Sequence, residues 1–272
     1  MSNRFEAKVV IVTGSSTGIG QATAVSFGQE GALLVIHGQD YETEELKKTE
    51  NLLKEAGVPA DHILKLFGQM EDQATQEKIV NETIKKFGRI DVLVNNAGTA
   101  FCPNVSNQDE LEALDFIYRV NFRSVVALTQ FALPHLEKTK GCVVNVSSMS
   151  STFTAQTITH YCSMKAALDM FTRCYADKYG AKGVRINSVN PGFIRTNIVK
   201  RMGGDQEKME AYASEFSSLK RIGQPSEMAN VIKFLASPEA SYVTGSNWKA
   251  DGGTTCYNTQ GLNEYSYGIK HS

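Results

Sequence analysis

The 272-residue sequence lacks a surplus of charge in either direction: 28 lysines and arginines face 29 aspartates and glutamates, for a formal net charge of -1. That balance leaves no electrostatic footprint for nucleic acid or an anionic membrane, and neither partner is expected. Also missing is any apolar run near the roughly 18 to 20 residues of a spanning helix, and Met1 to Glu6 lacks the apolar core of a secretory signal. An intracellular, cytoplasmic protein is expected. The five cysteines (Cys102, Cys142, Cys162, Cys174, Cys256) form no C-x-x-C pair and read as ordinary thiols. The five histidines (His37, His62, His135, His160, His271) are too scattered for a local metal motif, so no metal is expected. Internal repeats, low-complexity tracts and linkers are absent too, so residues 1–272 are expected to form one domain.

What is present is a rhythm. Short apolar runs at Lys8 to Thr13, Leu33 to His37, His62 to Phe67, Asp91 to Asn95, Cys142 to Ser148, Val184 to Val189 and Tyr242 to Lys249 read as seven strands. Between them lie helical patterns, at Gly18 to Glu30, Tyr41 to Ala56, Asp72 to Phe87 and Asn107 to Glu137, around Tyr161, and after Pro225. Continuously apolar strands alternating with helices predict an α/β fold, a doubly wound and mostly parallel sheet covered on both faces. Two stretches break the rhythm: residues 196–223, expected as a substrate lid, and a tail over 254–272.

Chemistry enters at two places. Tyr161 and Lys165 are four residues apart, so one helix presents both on one face. A cation near a phenol favours the phenolate and is expected to lower its pKa, turning the tyrosine into a usable acid or base. The turn after the first strand, Gly14-Ser15-Ser16-Thr17-Gly18-Ile19-Gly20, places three glycines where backbone can approach a diphosphate at a helix N-terminus, and a nucleotide site is expected there.

The glycine turn, Asn95-Asn96-Ala97-Gly98, Asn121, Val146-Ser147-Ser148, the Tyr161/Lys165 pair and Pro191-Gly192 with Thr196 occur in an order that resembles the short-chain dehydrogenase/reductase family. The stretches around Asn145 to Ser148 and Ala166 to Asp169 are further similar to a tropinone-reductase-like branch. The resemblance implies a Rossmann fold and an NAD(P)-dependent oxidoreductase that interconverts a secondary alcohol and a ketone. It assigns the catalytic serine to Ser148, thirteen residues before Tyr161, and leaves Ser147 structural. Tyr161 becomes the proton donor or acceptor, Lys165 its tuner and a partner of the nicotinamide ribose, and Asn121 the residue that kinks its helix and anchors a water. It places Gly14, Ser16, Thr17, Ile19 and Gly20 at the phosphates and ribose, and Asn96, Ala97 and Gly98 beside the adenosine half. Met70 offers its amide to the adenine, while Val146, Pro191, Gly192, Ile194 and Thr196 surround the nicotinamide.

The acid that NAD-dependent members carry at the end of strand two is replaced by Gly38, and the basic residues of NADP-dependent members by Gln39 and Thr17. Without a repelling carboxylate, and with His37, Gln39 and backbone amides as candidate phosphate contacts, NADP is favoured, with Asp40 weakening that preference. A mixed, moderately apolar pocket for a small carbonyl or alcohol substrate is expected from residues 99–101 and 150–154, Phe193, Met202, Met209, Tyr212 and Phe216. A homodimer or homotetramer is implied, with Tyr257, Tyr265 and Tyr267 of the tail as candidate contacts. Two other readings stay open: a non-catalytic nucleotide-binding regulator on the same fold, and epimerase or dehydratase chemistry.

Overall fold

Four consecutive β-branched residues, Val9 to Val12, are all fully buried, which a strand achieves only when helices cover both faces of its sheet. In the computed structural model, which describes residues 3–198 and 204–256, that strand lies at the centre of the molecule. Seven strands form one sheet: β1 (Val9–Val12), β2 (Leu33–Gly38), β3 (Ile63–Phe67), β4 (Val92–Asn95), β5 (Cys142–Val146), β6 (Arg185–Pro191) and β7 (Asn247–Ala250). Their order is β3-β2-β1-β4-β5-β6-β7, and every neighbouring pair is parallel. Ile11 is in register with Val35 on one side and Leu93 on the other.

The helices are α1 (Gly18–Gly28), α2 (Thr43–Glu55), α3 (Gln73–Phe87), α4 (Leu111–Tyr118), α5 (Ser124–Thr139), α6 (Thr159–Gly180), α7 (Gln206–Phe216) and α8 (Pro225–Ala236). Alternate strand residues point to opposite faces. Val10 and Val12 therefore meet Phe27 of α1, Leu46 and Leu53 of α2, and Ile232 and Leu235 of α8. Ile11 and Val35 instead meet Ile79 of α3, Leu128 and Leu136 of α5, and Ala176 of α6. On the first face α1 packs along α8, and buried Glu30, just after α1, accepts from Arg4 at 2.7 Å and pairs with Lys233 of α8 at 2.6 Å.

Three expected elements differ. The helix expected over Asn107 to Glu137 starts at Leu111 and is interrupted by a π-helical turn, Arg119–Arg123, centred on Asn121. The last strand is shorter than expected, because Gly245 turns left-handed (φ 72°) and ends the extended run on its N-terminal side; Tyr242 is left fully exposed. The fifth strand stops at Val146, and Ser148 instead caps a short 3-10 turn, Met149–Ser151. Of the expected pocket and tail residues, Met202, Tyr257, Tyr265 and Tyr267 lie outside the described residues. Among the described residues no helix is long and apolar enough to cross a membrane.

Candidate active site

The strand order reverses beside β1: the chain runs outward through β2 to β3, then returns to β4 on the other side of β1, and the glycine turn stands beyond the carboxyl ends of β1 and β4. Gly14 is left-handed (φ 61°), and a Cβ on it would stand 2.9 Å from Ala97 Cα; a Cβ on Gly20 would collide with the Gly14 carbonyl and the Asn96 amide. Glycine is what lets this turn lie against the segment after β4. The Asn96 side-chain amide donates to the Thr13 and Gly14 carbonyls at 2.8 and 3.0 Å, and the Asn96 and Ala97 backbone amides both donate to Thr13 Oγ1 at 3.0 Å. A Cβ on Gly18 would touch the Thr196 methyl at 3.0 Å, which brings the two ends of the predicted dinucleotide cleft together. Helix α1 starts at Gly18 with no side-chain cap on Thr17 and no acid in its first turn, a donor-rich, positive terminus suited to a diphosphate.

The second cluster gathers at the ends of β4 and β5. Lys165 is buried, and its Nζ donates to the Val146 carbonyl at 2.8 Å while lying 5.4 Å from the Tyr161 ring centre. The Ser148 hydroxyl accepts the Ser150 amide at 3.1 Å and stands on the Tyr161 side of the cluster, where it favours the phenolate. The Ser147 hydroxyl donates to the Lys165 backbone carbonyl at 3.3 Å. Asn121 is fully buried in the π turn; its amide donates to the Thr99 carbonyl at 2.8 Å, and its oxygen accepts the Thr99 amide at 3.1 Å. Gly98 lies between Asn121 and Lys165, since a Cβ there would be 2.8 Å from Asn121 Oδ1 and 3.5 Å from Lys165 Nζ. Asn121, Ser148 and the Tyr161/Lys165 pair thus converge on one wall of the cleft.

The electrostatics differ from the sequence expectation. Burial pushes the Tyr161 phenol up to about 12, and the neighbouring Ser148 hydroxyl offsets this only in part. Lys165 does not outweigh that burial: its own ammonium is pushed down to about 8 by burial, against a smaller upward pull from Asp169, and its Nζ donates to the Val146 carbonyl. At neutral pH the cleft therefore presents a neutral phenol, a proton donor, beside a buried cation. His37, a candidate phosphate contact, is also corrected. It is 1% exposed, its Nδ1 accepts the Gly14 amide at 3.3 Å, its Nε2 faces the Gly68 carbonyl at 3.1 Å, and burial pushes it down to about 4. It braces the glycine turn as a neutral ring.

Met70 is buried with its carbonyl held by Gln76 at 2.7 Å, while Gln39 is half-buried at the tip of β2. Pro191 and Gly192 close β6, and Ile194 bridges to Gly223. Helix α7 brings Tyr212 against Phe153 and Phe193, with the Phe193 and Tyr212 rings edge to face at 5.3 Å and Phe216 beside Tyr212 at 4.3 Å. Met209 packs instead with Ala213 and Ile222 inside the lid segment. A cavity near Phe193, Arg221, Met228 and Asp251 is lined by none of the four clustered residues. Among the described residues no group of three or more His, Cys, Asp and Glu is placed to hold a metal ion.

Two buried acids escaped the sequence. Asp169, four residues after Lys165, accepts from Asn190 Nδ2 at 2.7 Å and from Ser188 Oγ at 3.3 Å, and the same Asn190 amide reaches the Ser148 carbonyl at 3.2 Å and Ser151 Oγ at 2.9 Å. The repeated four-residue spacing Tyr161, Lys165, Asp169 is the signal that could have found it. Glu42, the second, is buried beside Ser16.

A family model described as enoyl-(acyl carrier protein) reductase matches residues 14–255. The chain is 39% identical over 257 residues to a meso-2,3-butanediol dehydrogenase of Serratia marcescens, covering 94% of this chain and 98% of that one. It is 37% identical over 255 residues to a 3-oxoacyl-(acyl-carrier-protein) reductase of Thermotoga maritima, covering 92% and 98%. Among solved structures, a Caenorhabditis elegans short-chain dehydrogenase/reductase of unknown function, solved with cofactor, superposes with a TM-score of 0.90 at 35% identity, covering 96% of this chain and 100% of that one. The apo form of a glucose dehydrogenase of the same organism gives 0.80 at 37% identity, covering 93% and 100%. These relatives do not bear on the tropinone-reductase-like branch. With its parallel sheet, its glycine turn and relatives of this identity over nearly their whole length, the chain belongs to the short-chain dehydrogenase/reductase family of oxidoreductases.

Proposed function

We propose that the protein interconverts a secondary alcohol and a ketone with a nicotinamide dinucleotide, using Tyr161 as acid and base. One observation carries the reading: Ser148, Tyr161, Lys165 and Asn121 meet in one cleft, with the phenol neutral and the Lys165 Nζ 5.4 Å from its ring centre. A bound nicotinamide supplies or accepts the hydride. In reduction the Ser148 hydroxyl donates to the carbonyl oxygen and polarises it. The Tyr161 hydroxyl gives its proton to that oxygen as charge develops there, and the Lys165 ammonium stabilises the phenolate left behind. In oxidation the phenolate takes the alcohol proton back. Asn121 holds Thr99 and the segment after β4 against Lys165.

The glycine turn (Gly14, Ser16, Thr17, Ile19, Gly20) and the uncapped start of α1 receive the diphosphate. Asn96, Ala97, Gly98 and Met70 flank the adenosine half, Gln39 the adenosine ribose, and Val146, Pro191, Gly192, Ile194 and Thr196 the nicotinamide. Residues 196–223 act as the lid over a small carbonyl substrate, for which the Phe153, Phe193, Tyr212 and Phe216 cluster provides an apolar wall. Relatives named for butanediol dehydrogenase and 3-oxoacyl reductase support a ketone or secondary alcohol as substrate class. A homodimer or homotetramer is proposed as the working assembly.

Tyr161→Phe tests the reading. The variant binds dinucleotide as the wild type does, and its turnover of any carbonyl the wild type reduces, followed at the nicotinamide absorbance, falls by at least about a hundredfold. Unchanged turnover overturns the mechanism. Dinucleotide binding with no turnover across a broad carbonyl panel returns the protein to the non-catalytic reading, and product formed without net change in the nicotinamide points to epimerase or dehydratase chemistry.

A further inference from the structure

Position 38, at the tip of β2, is a glycine, and on sequence alone the missing acid there favoured NADP. The fold supplies a carboxylate at that place from four residues further on. Glu42, immediately before α2, is only 3% exposed, and its Oε2 accepts from Ser16 Oγ at 2.9 Å and from the Gln39 backbone amide at 2.9 Å. A Cβ built on Gly38 would stand 3.3 Å from that same Oε2 and 3.5 Å from Ser16 Cβ. The carboxylate therefore ties the tip of β2 to the glycine turn. It also follows Gly20 by 22 residues (42 − 20), close to the interval of about 20 at which dinucleotide-binding folds carry the acid that serves the ribose 2'-hydroxyl.

The surroundings are no more welcoming to a phosphate. Glu42 and Asp40, with Lys78, are the charged groups nearest His37, between the glycine turn and the tip of β2, while Glu45 and Lys48 line the cleft beside Ser16. His37 adds no cation, being buried with both ring nitrogens against backbone. The Ser16 hydroxyl and the Gln39 amide, the donors a 2'-phosphate would need, are already held by Glu42.

We propose that Glu42 is the specificity-determining residue that makes this enzyme select NAD over NADP, by fixing a negative charge at the base of the adenosine-ribose site and occupying its two donors. The inference rests on the dinucleotide-dependent reading above and reverses the preference drawn from the sequence. A 2'-phosphate, at the solvent-facing edge of the site, brings a charge of about −1.5 to −2 towards a like charge. A free 2'-hydroxyl carries no such penalty.

The test is equilibrium binding to the full-length protein, with NADH and NADPH titrated separately and followed by nicotinamide fluorescence. The wild type binds NADH at least about tenfold more tightly than NADPH. Glu42→Gln keeps an acceptor oxygen for Ser16 and Gln39 but removes the charge; it gains at least about fivefold in NADPH affinity while NADH affinity changes by less than about threefold. Glu42→Asp keeps the preference for NADH. Raising the salt concentration on the wild-type protein narrows the gap by strengthening NADPH relative to NADH, an effect a purely steric block lacks, so the charge is tested even if the glutamine variant does not fold. Equal or tighter NADPH binding by the wild type, or an unchanged ratio in a folded Glu42→Gln protein, overturns the inference while leaving the oxidoreductase reading intact. Folded wild-type protein that binds neither dinucleotide overturns both.

Discussion

A phenol pushed up to about 12 beside an ammonium pushed down to about 8 is an arrangement in which burial, not the neighbouring charge, sets both protonation states. The ammonium costs the folded state most where it is charged. Below about pH 8 Lys165 is protonated in both folded and unfolded chains, and the full penalty of burying it applies. Between about 8 and 10.5 only the unfolded chain keeps the proton, so this group's destabilisation fades as pH rises. Comparing wild type with Lys165→Met by urea denaturation, the stability difference moves in favour of wild type by up to about 3 kcal/mol from pH 7 to 10.5. A difference independent of pH would mean that Lys165 titrates at its ordinary value. The residues of this cleft were legible in the sequence because Tyr161, Lys165 and the glycine turn are local patterns with local meaning. The direction of the tyrosine shift was not, since spacing on a helix says nothing about how deeply the helix face is covered. Glu42 was illegible for a related reason: its role depends on where the tip of β2 meets the glycine turn, a long-range contact that no local spacing encodes.

At the scale of elements, the π turn Arg119–Arg123 is where sequence periodicity and structure part. One extra residue in a turn leaves the apolar pattern on either side intact, so Asn107 to Glu137 reads as a single helix although it is two with a bulge between. The bulge rotates Asn121 inward, where its side chain satisfies both backbone groups of Thr99 and the freed Ile117 carbonyl at 3.1 Å. Asn121→Ala leaves these buried groups unpaired. We expect it to lower stability by about 2–3 kcal/mol in urea denaturation and to speed amide exchange at Thr99 well beyond the global change. Loss of stability with no selective effect at Thr99 would show that the bulge, rather than the side chain, holds that segment.

Over the whole molecule, alternation of apolar strands and helices was enough to anticipate a parallel sheet covered on both faces, because each strand had to be buried twice over. Assembly is written more faintly. Tyr118 and Met170 are 41% and 52% exposed beside a ladder of rings from Phe122 through Phe171 and Tyr175 to Tyr179, an apolar surface built by α4, the π turn and the long helix α6. Light scattering is expected to give a mass that is a multiple of the 29.8 kDa chain, and Met170→Glu to shift it towards the monomer with the melting transition still cooperative. A monomeric wild type would remove the assembly from the proposal.

The pairing of α1 with α8, locked by Glu30 between Arg4 and Lys233, joins the first helix of the chain to the last helix before β7. During synthesis α1 leaves the ribosome some 200 residues before its partner, with Ala24 and Phe27 awaiting cover that only the completed chain provides. The glycine turn opens α1, so the first piece of the nucleotide cleft is made on a helix whose cover is the last α-helix of the described chain.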